Sequence, residues 1–172
     1  MSLQYLQSPL GLLAVEAHGG ALCRVAPVRD CLTAAPDAVT QEAVRQLEEY
    51  FSGRRKEFTL PLAPQGTAFE RLVWSVLARI PYGRVVTYGQ LASAAGSPGA
   101  CRAAANAVGK NPLLILLPCH RVVAADGIGG FSAGLDRKHA LLRLEDVEIP
   151  EKKPFPRKYV GLSMMCYTFG KE

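Results

Sequence analysis

Two helix-start motifs in the middle of the chain constrain its fold more than any other feature. Thr67 and Glu70 form a capping box in the segment TAFE, and Thr87 and Gln90 form a second one in TYGQ. In a capping box the threonine hydroxyl and the side chain three residues later each bind a backbone N–H that the helix leaves unpaired. Each motif therefore predicts the start of a helix, and the apolar stripe that follows Thr67 at helical spacing supports the first one.

The second helix is short and is followed at once by a third. Gly96 is predicted to end the segment YGQLASAA, and Ser97 and Pro98 are predicted to be the N-cap and first residue of the helix PGACRAAANAVGK. Two short helices joined by a glycine turn are typical of a helix-turn-helix. The spacing predicts one polar face on the third helix, formed by Arg102, Asn106 and Lys110. It predicts an opposite face formed by Cys101, Ala104, Ala105 and Val108.

The charge of this region favours an anionic partner. No acidic residue lies between Glu70 and Asp126, although the whole chain has a net charge of only +5. The interval contains the basic residues Arg71, Arg79, Arg84, Arg102, Lys110 and Arg121. A segment this long with one sign of charge indicates binding to nucleic acid, unless a few exposed arginines fall there by chance.

Composition and cysteine usage indicate a globular protein in a reducing compartment. The chain is 49% hydrophobic and 20% charged, no apolar run reaches the length of a membrane span, and the N-terminus lacks the pattern of a secretion signal. Its five cysteines are odd in number, scattered and without C-x-x-C spacing, which indicates free thiols and no zinc-thiolate site. We therefore expect a soluble, cytoplasmic protein with no membrane partner.

The chain divides into segments of different pattern. Residues 3–28 alternate loosely in polarity, which predicts a hairpin and short strands, and residues 36–53 have apolar positions at helical spacing. Residues 54–66 predict a short strand that runs into a Pro/Gly linker. These patterns predict an N-terminal α/β domain at 1–65, a C-terminal domain at 66–150 and an extension at 151–172.

A cysteine lies where a buried strand is predicted to end. Cys119 stands between Pro118 and His120 in LPCHRVV, directly after the apolar run LLILL. A thiol with its ordinary pKa of about 8.5 is mainly protonated at neutral pH, so a reactive cysteine needs a base or a positive charge beside it. Because neighbouring side chains on a strand point to opposite faces, Cys119 and His120 can meet only if PCH forms a turn or a helix start. The nearby carboxylates that could orient the imidazole are Asp126, Asp136 and Glu145. A buried, inert cysteine is the alternative.

Several motifs together resemble the O6-alkylguanine-DNA alkyltransferase family, also called methylated-DNA–protein-cysteine methyltransferases. They are PCHRVV at 118–123, IPYGRVVTYGQLA at 80–92, NPLLILLPCHR from Asn111, and SPLG near the N-terminus. The resemblance implies an α+β (α/β) fold. A small ribonuclease-H-like domain of strands and a helix would precede a mostly helical domain with a winged-helix-like helix-turn-helix.

The resemblance also implies a repair reaction that each molecule performs once. An O6-alkylated guanine is rotated out of double-stranded DNA into a pocket, and the cysteine thiolate takes over the alkyl group as a stable thioether. O4-alkylthymine is implied as a further substrate. The protein is expected to be a monomer without a bound metal. No cofactor is expected, because the protein itself accepts the alkyl group.

Roles for individual residues follow from the same resemblance. Cys119 matches the nucleophile, and His120 matches the imidazole that takes its proton through a water. Glu145 matches the carboxylate that orients His120. Asn111 matches the buried asparagine of the site. Three further matches contact DNA. Tyr88 crowds the 3′ phosphate of the rotated nucleotide, and Arg102 enters from the minor groove and fills the space that this nucleotide leaves in the base stack. Ser97 lies where a DNA phosphate is bound. Asn106 and Lys110 share the face of Arg102, and Phe131 and Ser132 match the walls of the base pocket.

Other features of the sequence depart from the family pattern or leave the function open. The loop GIGGFSAG is one residue shorter than in several relatives, and Asp146 stands where relatives often have glycine. His18 and Cys23 lie near positions of a structural zinc in some relatives, but two ligands do not predict a full site. The alternative function is a lesion-binding or regulatory DNA-binding protein of the same fold in which Cys119 is a bystander. A Cys–His hydrolase would leave the basic helix-turn-helix without a purpose.

Overall fold

The computed structural model describes residues 1–149, and the chain forms two compact units. Met1–Gln65 and Pro112–Leu116 belong to the first unit, and the other described residues belong to the second. The extension predicted at 151–172 lies outside the described residues. No helix within residues 1–149 is both long and apolar enough to cross a membrane.

The first unit is a three-stranded antiparallel sheet with one helix packed on it. Its elements are β1 (Ser2–Ser8), β2 (Gly11–His18), β3 (Ala21–Pro27) and α1 (Ala38–Phe51). Strand β2 is central and pairs with both neighbours. The buried side chains that join sheet and helix include Leu13, Val15, Leu22, Leu47 and Tyr50. The hairpin, the short strands and the helix agree with the alternating and helical patterns of the sequence.

Two strands predicted from short apolar runs do not form as regular strands. In residues 54–66 only Leu62 pairs, through an isolated parallel bridge to Leu22. In the run before Cys119, Leu113 forms an isolated parallel bridge to Val25, and Ile115 then turns the backbone at φ 71°. The apolar residues are buried as predicted, but burial alone does not require the extended backbone of a strand.

The second unit is mostly helical. Its elements are α2 (Ala68–Leu77), β4 (Val86–Thr87), α3 (Tyr88–Ala94), α4 (Cys101–Gly109), a 3-10 turn (Cys119–Arg121), β5 (Val122–Val123) and α5 (Leu135–Leu144). Strands β4 and β5 pair in parallel. Both predicted capping boxes are present: the hydroxyls of Thr67 and Thr87 each accept from the backbone N–H three residues later, at 3.1 Å.

Helix α4 begins later than predicted. Its N-cap is Ala100, without a side-chain cap, while Ser97 lies before a turn in which its carbonyl accepts from the Ala100 N–H at 2.9 Å. The prediction that Ser97 caps this helix was therefore wrong, because Pro98 and Gly99 form a turn instead of the first helical turn. Arg102, Asn106 and Lys110 are all exposed, as predicted, and the buried face consists of Ala104, Ala107 and Val108. Cys101 is exposed, contrary to prediction.

Helices α2 and α4 pack through a buried tryptophan. Trp74 is 1% exposed, and its Nε1 donates to the Ala107 carbonyl at 2.8 Å. Gly66 packs so closely on the other side of this ring that a Cβ atom there would lie 2.5 Å from Trp74 Cη2. The absence of a side chain at Gly66 therefore leaves room for the indole between the two helices.

We expect Gly66→Ala to destabilise the protein by about 1–3 kcal/mol, because the added methyl group overpacks the indole of Trp74. The measurement is the free energy of unfolding from denaturant titration. Gly99→Ala is the matched control, since a Cβ atom there meets nothing within 4 Å, and it should stay within about 0.5 kcal/mol of the parent. Equal stability of the two variants would contradict this account of the packing.

Candidate active site

The cysteine lies on a tight turn, one of the two conformations that would allow the side chains of Cys119 and His120 to meet. Pro118 has φ −78° and ψ 66°, and Cys119–Arg121 follow as a single 3-10 turn. The Arg121 N–H donates to the Pro118 carbonyl at 3.0 Å. Because the backbone is no longer extended, Cys119 and His120 do not point to opposite faces of a strand.

Cys119 lines a cavity of about 300 Å³ in the second unit. The lining residues are Tyr88, Ala105, Asn106, Val108, Gly109, Cys119, Gly130, Phe131 and Ser132. This volume is at the lower end of the range for sites that hold small molecules. The structure therefore brings five of the predicted residues together around one space: Tyr88, Asn106, Cys119, Phe131 and Ser132.

Asn111 binds the backbone just before Cys119. Its Nδ2 donates to the Leu117 carbonyl at 2.8 Å, and its side chain also hydrogen-bonds Cys119. The Cys119 N–H in turn donates to the Leu117 carbonyl at 2.7 Å. Asn111 thus touches both the backbone before the turn and the side chain that the turn presents.

The Cys119 thiol is protonated in the resting protein. Burial raises the pKa of the Cys119 thiol to about 11, although the Asn111 hydrogen bond and the charge of Lys138 act in the opposite direction. The side chain is only 2% exposed, so bulk water has little access to remove the proton. Any nucleophilic chemistry at this sulfur therefore needs a base within the protein.

His120 has one ring nitrogen in a hydrogen bond and one without a partner among the described residues. Its Nε2 donates to Glu145 Oε1 at 2.7 Å, and both side chains are fully buried. Its Nδ1 has no hydrogen-bond partner among the described residues. Burial lowers the pKa of His120 below its ordinary value, against the opposing effect of Glu145. The imidazole is therefore neutral, with the proton on Nε2 and a lone pair on Nδ1.

Glu145 is ionised, and it accepts more than the one hydrogen bond that was predicted. Burial by itself would raise the pKa of this carboxyl, but hydrogen bonds from His120 and Arg121 hold the pKa well below its usual range. The Gly83 N–H also donates to Oε2 at 3.1 Å. Of the three carboxylates considered from the sequence, Glu145 is the one that contacts His120.

Sequence reasoning missed a buried lysine beside the site. The Lys138 side chain is 0% exposed, and its Nζ donates to the carbonyls of Val122, Ile128 and Gly130 at 2.6–2.8 Å. Burial lowers the pKa of Lys138 to about 8. Its spacing from Leu141 and Leu142 on the buried face of α5 was the available signal. Lys138 fixes the glycine-rich loop that carries Phe131 and Ser132.

Tyr88 closes one edge of the cavity against the same loop. Its hydroxyl donates to the Gly130 carbonyl at 3.3 Å. Gly129 has φ 73°, and a Cβ atom there would lie 3.0 Å from the Tyr88 ring. A residue without a side chain is therefore required at Gly129 both by the backbone conformation and by the close approach of the ring.

The remaining predicted residues lie away from the cavity lining. Arg102 is exposed on α4, and Ser97 lies in the turn before it. Lys110 forms an ion pair with Glu70 at 2.8 Å, yet its side chain stays 67% exposed. In residues 1–149 no group of three His, Cys, Asp or Glu side chains could hold a metal ion.

Known proteins are similar in sequence to both units of the chain. The family model for the ribonuclease-like domain of 6-O-methylguanine DNA methyltransferase matches residues 1–64, and the model for its DNA binding domain matches residues 68–147. A methylated-DNA–protein-cysteine methyltransferase of Mycobacterium tuberculosis is 41% identical over 153 residues, which cover 84% of this chain and 92% of the relative. The protein of that name from Methanosarcina barkeri is 50% identical over 107 residues, 62% of this chain and 68% of the relative.

Solved structures are similar over the same span. A crystal structure of Mycobacterium tuberculosis O6-methylguanine methyltransferase has a TM-score of 0.75 at 38% identity. A crystal structure of Mycobacterium tuberculosis OGT in complex with DNA has a TM-score of 0.77 at 40% identity. Each alignment covers 84% of this chain and 92% of the solved chain.

We expect Glu145→Gln to lower the free energy of unfolding by about 3–5 kcal/mol near neutral pH, because Arg121 loses its buried partner. The folded pKa of Glu145 is depressed, so its contribution is full above the unfolded value of about 4.3 and is lost as the pH falls through the folded value. The gap between parent and variant should therefore narrow below about pH 4.

The matched control is Glu148→Gln, which removes the same charge from an exposed residue nearby. Denaturant titrations at several pH values measure both variants against the parent. A loss from Glu145→Gln as small as that from the control, or one that does not change with pH, would contradict the ionised, buried state of Glu145.

Proposed function

Because the chain belongs to the 6-O-methylguanine DNA methyltransferase family, we propose that it repairs DNA directly by moving an alkyl group from O6 of guanine, and from O4 of thymine, to Cys119. The observation that carries this proposal is the position of Cys119. Cys119 lines a cavity, and the next residue along the turn is a neutral imidazole with an open nitrogen. Such a pair suits one nucleophilic attack on a small group that enters the cavity.

The reaction needs the damaged base outside the helix. A base within the stack offers no path for in-line attack, so the nucleotide is rotated into the cavity at a cost of a few kcal/mol. The Cys119 proton passes to His120 Nδ1 through a water, and the sulfur attacks the alkyl carbon. The carbon–oxygen bond breaks with its electron pair on the base. The proton then returns from His120 to the base, which leaves ordinary guanine and a neutral thioether.

The cavity residues have roles that fit their places. Phe131 and Ser132 form the wall for the extruded base, with Ser132 on the loop that can offer backbone donors to it. Tyr88 stands at the edge, where its ring can crowd the 3′ phosphate of the rotated nucleotide. Asn111 keeps the Cys119 turn in place through Leu117 and steadies the sulfur by its own hydrogen bond.

The exposed face of α4 is the proposed contact with double-stranded DNA. Arg102, Asn106 and Lys110 lie along it, and Arg102 enters from the minor groove to fill the vacated stack. Buried alanine on the inner face keeps this helix thin. Ser97, although it does not cap α4, precedes it in the turn and is proposed to bind a phosphate.

The setting of the reaction is also part of the proposal. Residues 66–150 carry both DNA binding and transfer, since every proposed site residue lies there, and residues 1–65 form a separate domain. The protein acts as a monomer. It needs no cofactor, because the Cys119 thiol itself accepts the alkyl group. The free thiols Cys23, Cys31, Cys101 and Cys119 fit a reducing compartment such as the cytoplasm.

Incubation with an oligonucleotide that contains O6-methylguanine should add one methylene, about 14 Da, to the intact protein, because sulfur keeps the methyl group after transfer. Intact mass spectrometry measures the addition, and peptide mapping assigns it to Cys119. Cys119→Ser is the control and should gain no mass. An unchanged mass in the parent together with retained lesion binding would instead support a lesion-binding protein.

Arg102→Ala should slow repair of a lesion in duplex DNA by about tenfold, roughly 1.4 kcal/mol, because nothing then fills the space left by the rotated base. Reaction with free O6-benzylguanine needs no rotation and should be nearly unchanged. Single-turnover rates on the two substrates make the comparison. Arg29→Ala removes an equal charge from an exposed loop of the first unit and is the control. Equal slowing on both substrates would contradict the role of Arg102.

A further inference from the structure

Arg121 belongs to the PCHRVV motif, yet the proposed reaction gives it no task. The residue is only 6% exposed, and its guanidinium donates three hydrogen bonds within the second unit. Nε and Nη2 donate to Oε2 and Oε1 of Glu145 at 2.9 and 2.8 Å. Nη1 donates to the Ile80 carbonyl at 2.6 Å, and the guanidinium carbon lies 5.7 Å from the centre of the Tyr82 ring.

The carboxylate of Glu145 is shared between Arg121 and His120. Oε1 accepts from His120 Nε2 and Arg121 Nη2, and Oε2 accepts from Arg121 Nε and the Gly83 N–H. A carboxylate with this many donors is held in one orientation and in its ionised form. Arg121 therefore determines which oxygen of Glu145 faces the imidazole.

The charges of Glu145, Arg121 and His120 sum to zero only when His120 is neutral. Glu145 contributes one negative charge and Arg121 one positive charge, so an imidazolium would leave a buried net positive charge. The amino group of Lys138, which hydrogen-bonds the nearby Val122 carbonyl, would add to this repulsion. A net charge in a buried site is costly, so the balanced state is favoured.

We infer that Arg121 is a positioning residue for alkyl transfer: by sharing Glu145 with His120, it keeps the imidazole neutral and leaves Nδ1 able to take the Cys119 proton. This inference rests on the proposed function. It gives Arg121 an effect on the reaction through Glu145 and His120, without contact with the substrate.

The groups around His120 support this assignment. Those that act on its charge are Glu145 and Lys138 from the α5 segment and Arg121 from the 3-10 turn, with Tyr82 facing Arg121. Burial lowers the pKa of His120 most, Glu145 raises it, and Arg121 and Lys138 lower it further. Without Arg121, the negative charge of Glu145 is no longer balanced and favours the protonated form of His120. The imidazole then carries a proton on Nδ1 near neutral pH.

The test is the pH dependence of single-turnover reaction with O6-benzylguanine, from about pH 5.5 to about pH 9, for the parent, Arg121→Met and Arg121→Lys. The rate rises with pH until His120 is neutral and then levels off. We expect the midpoint of this rise to move upward by about one pH unit or more in Arg121→Met. Arg121→Lys keeps the charge and should lie close to the parent.

A double variant is the charge-balanced control for Arg121→Met. Arg121→Met combined with Glu145→Gln removes both charges and leaves an amide oxygen to accept from His120 Nε2. Its midpoint should return to that of the parent. A midpoint that is the same in the parent and Arg121→Met, with the rate uniformly lower, would overturn the inference and leave Arg121 a structural role alone.

Nitrogen-15 NMR of His120 separates this inference from the proposed function. The ring nitrogens report protonation directly and need no alkyl transfer. We expect neutral imidazole with the proton on Nε2 in the parent near neutral pH and imidazolium in Arg121→Met. Neutral imidazole in both proteins would overturn the inference, whether or not the parent transfers alkyl groups.

Discussion

The second unit depends on one buried carboxylate at the end of α5. Glu145 is 2% exposed and brings together three segments that are far apart in the chain: the turn that carries His120 and Arg121, the Gly83 turn after α2, and α5 itself. An ion in such a place is stable only when its lone pairs are filled, and here each oxygen has two donors. Folding and the chemistry of the site therefore use the same contacts.

These contacts explain how a thiol that is hard to ionise can still react. Burial raises the pKa of Cys119 to about 11, so the sulfur stays protonated and unreactive at rest. His120 is the next residue and has an open Nδ1, and Glu145 contacts its other ring nitrogen. In the proposed reaction the ionised Glu145 stabilises the positive charge on the imidazole after it takes the Cys119 proton. A cysteine that is used once gains from this arrangement, since it forms a thiolate only during the reaction.

Local signals in the sequence predicted much of this unit. The capping boxes at Thr67 and Thr87 need only neighbouring residues. PCHRVV contains Cys119 and His120, whereas Glu145 was one of three candidate carboxylates until the family resemblance singled it out. Features that depend on tertiary contacts were not predicted. Ile115 turns where a strand was expected, α4 starts after a Pro–Gly turn instead of at Ser97, and Lys138 is buried because three carbonyls surround it. From the sequence alone, a lysine in a helix is predicted to be exposed, because the carbonyls that bind its amino group come from other segments.

The central claim is that His120, held by Glu145, is the base for Cys119. Its most direct test is the single-turnover rate of alkyl transfer by His120→Gln, whose side-chain amide can still donate to Glu145 but cannot take a proton. We expect a rate lower by about a hundredfold or more near neutral pH, with folding and DNA binding retained. A rate equal to that of the parent would show that Cys119 reacts without this base and would contradict the account.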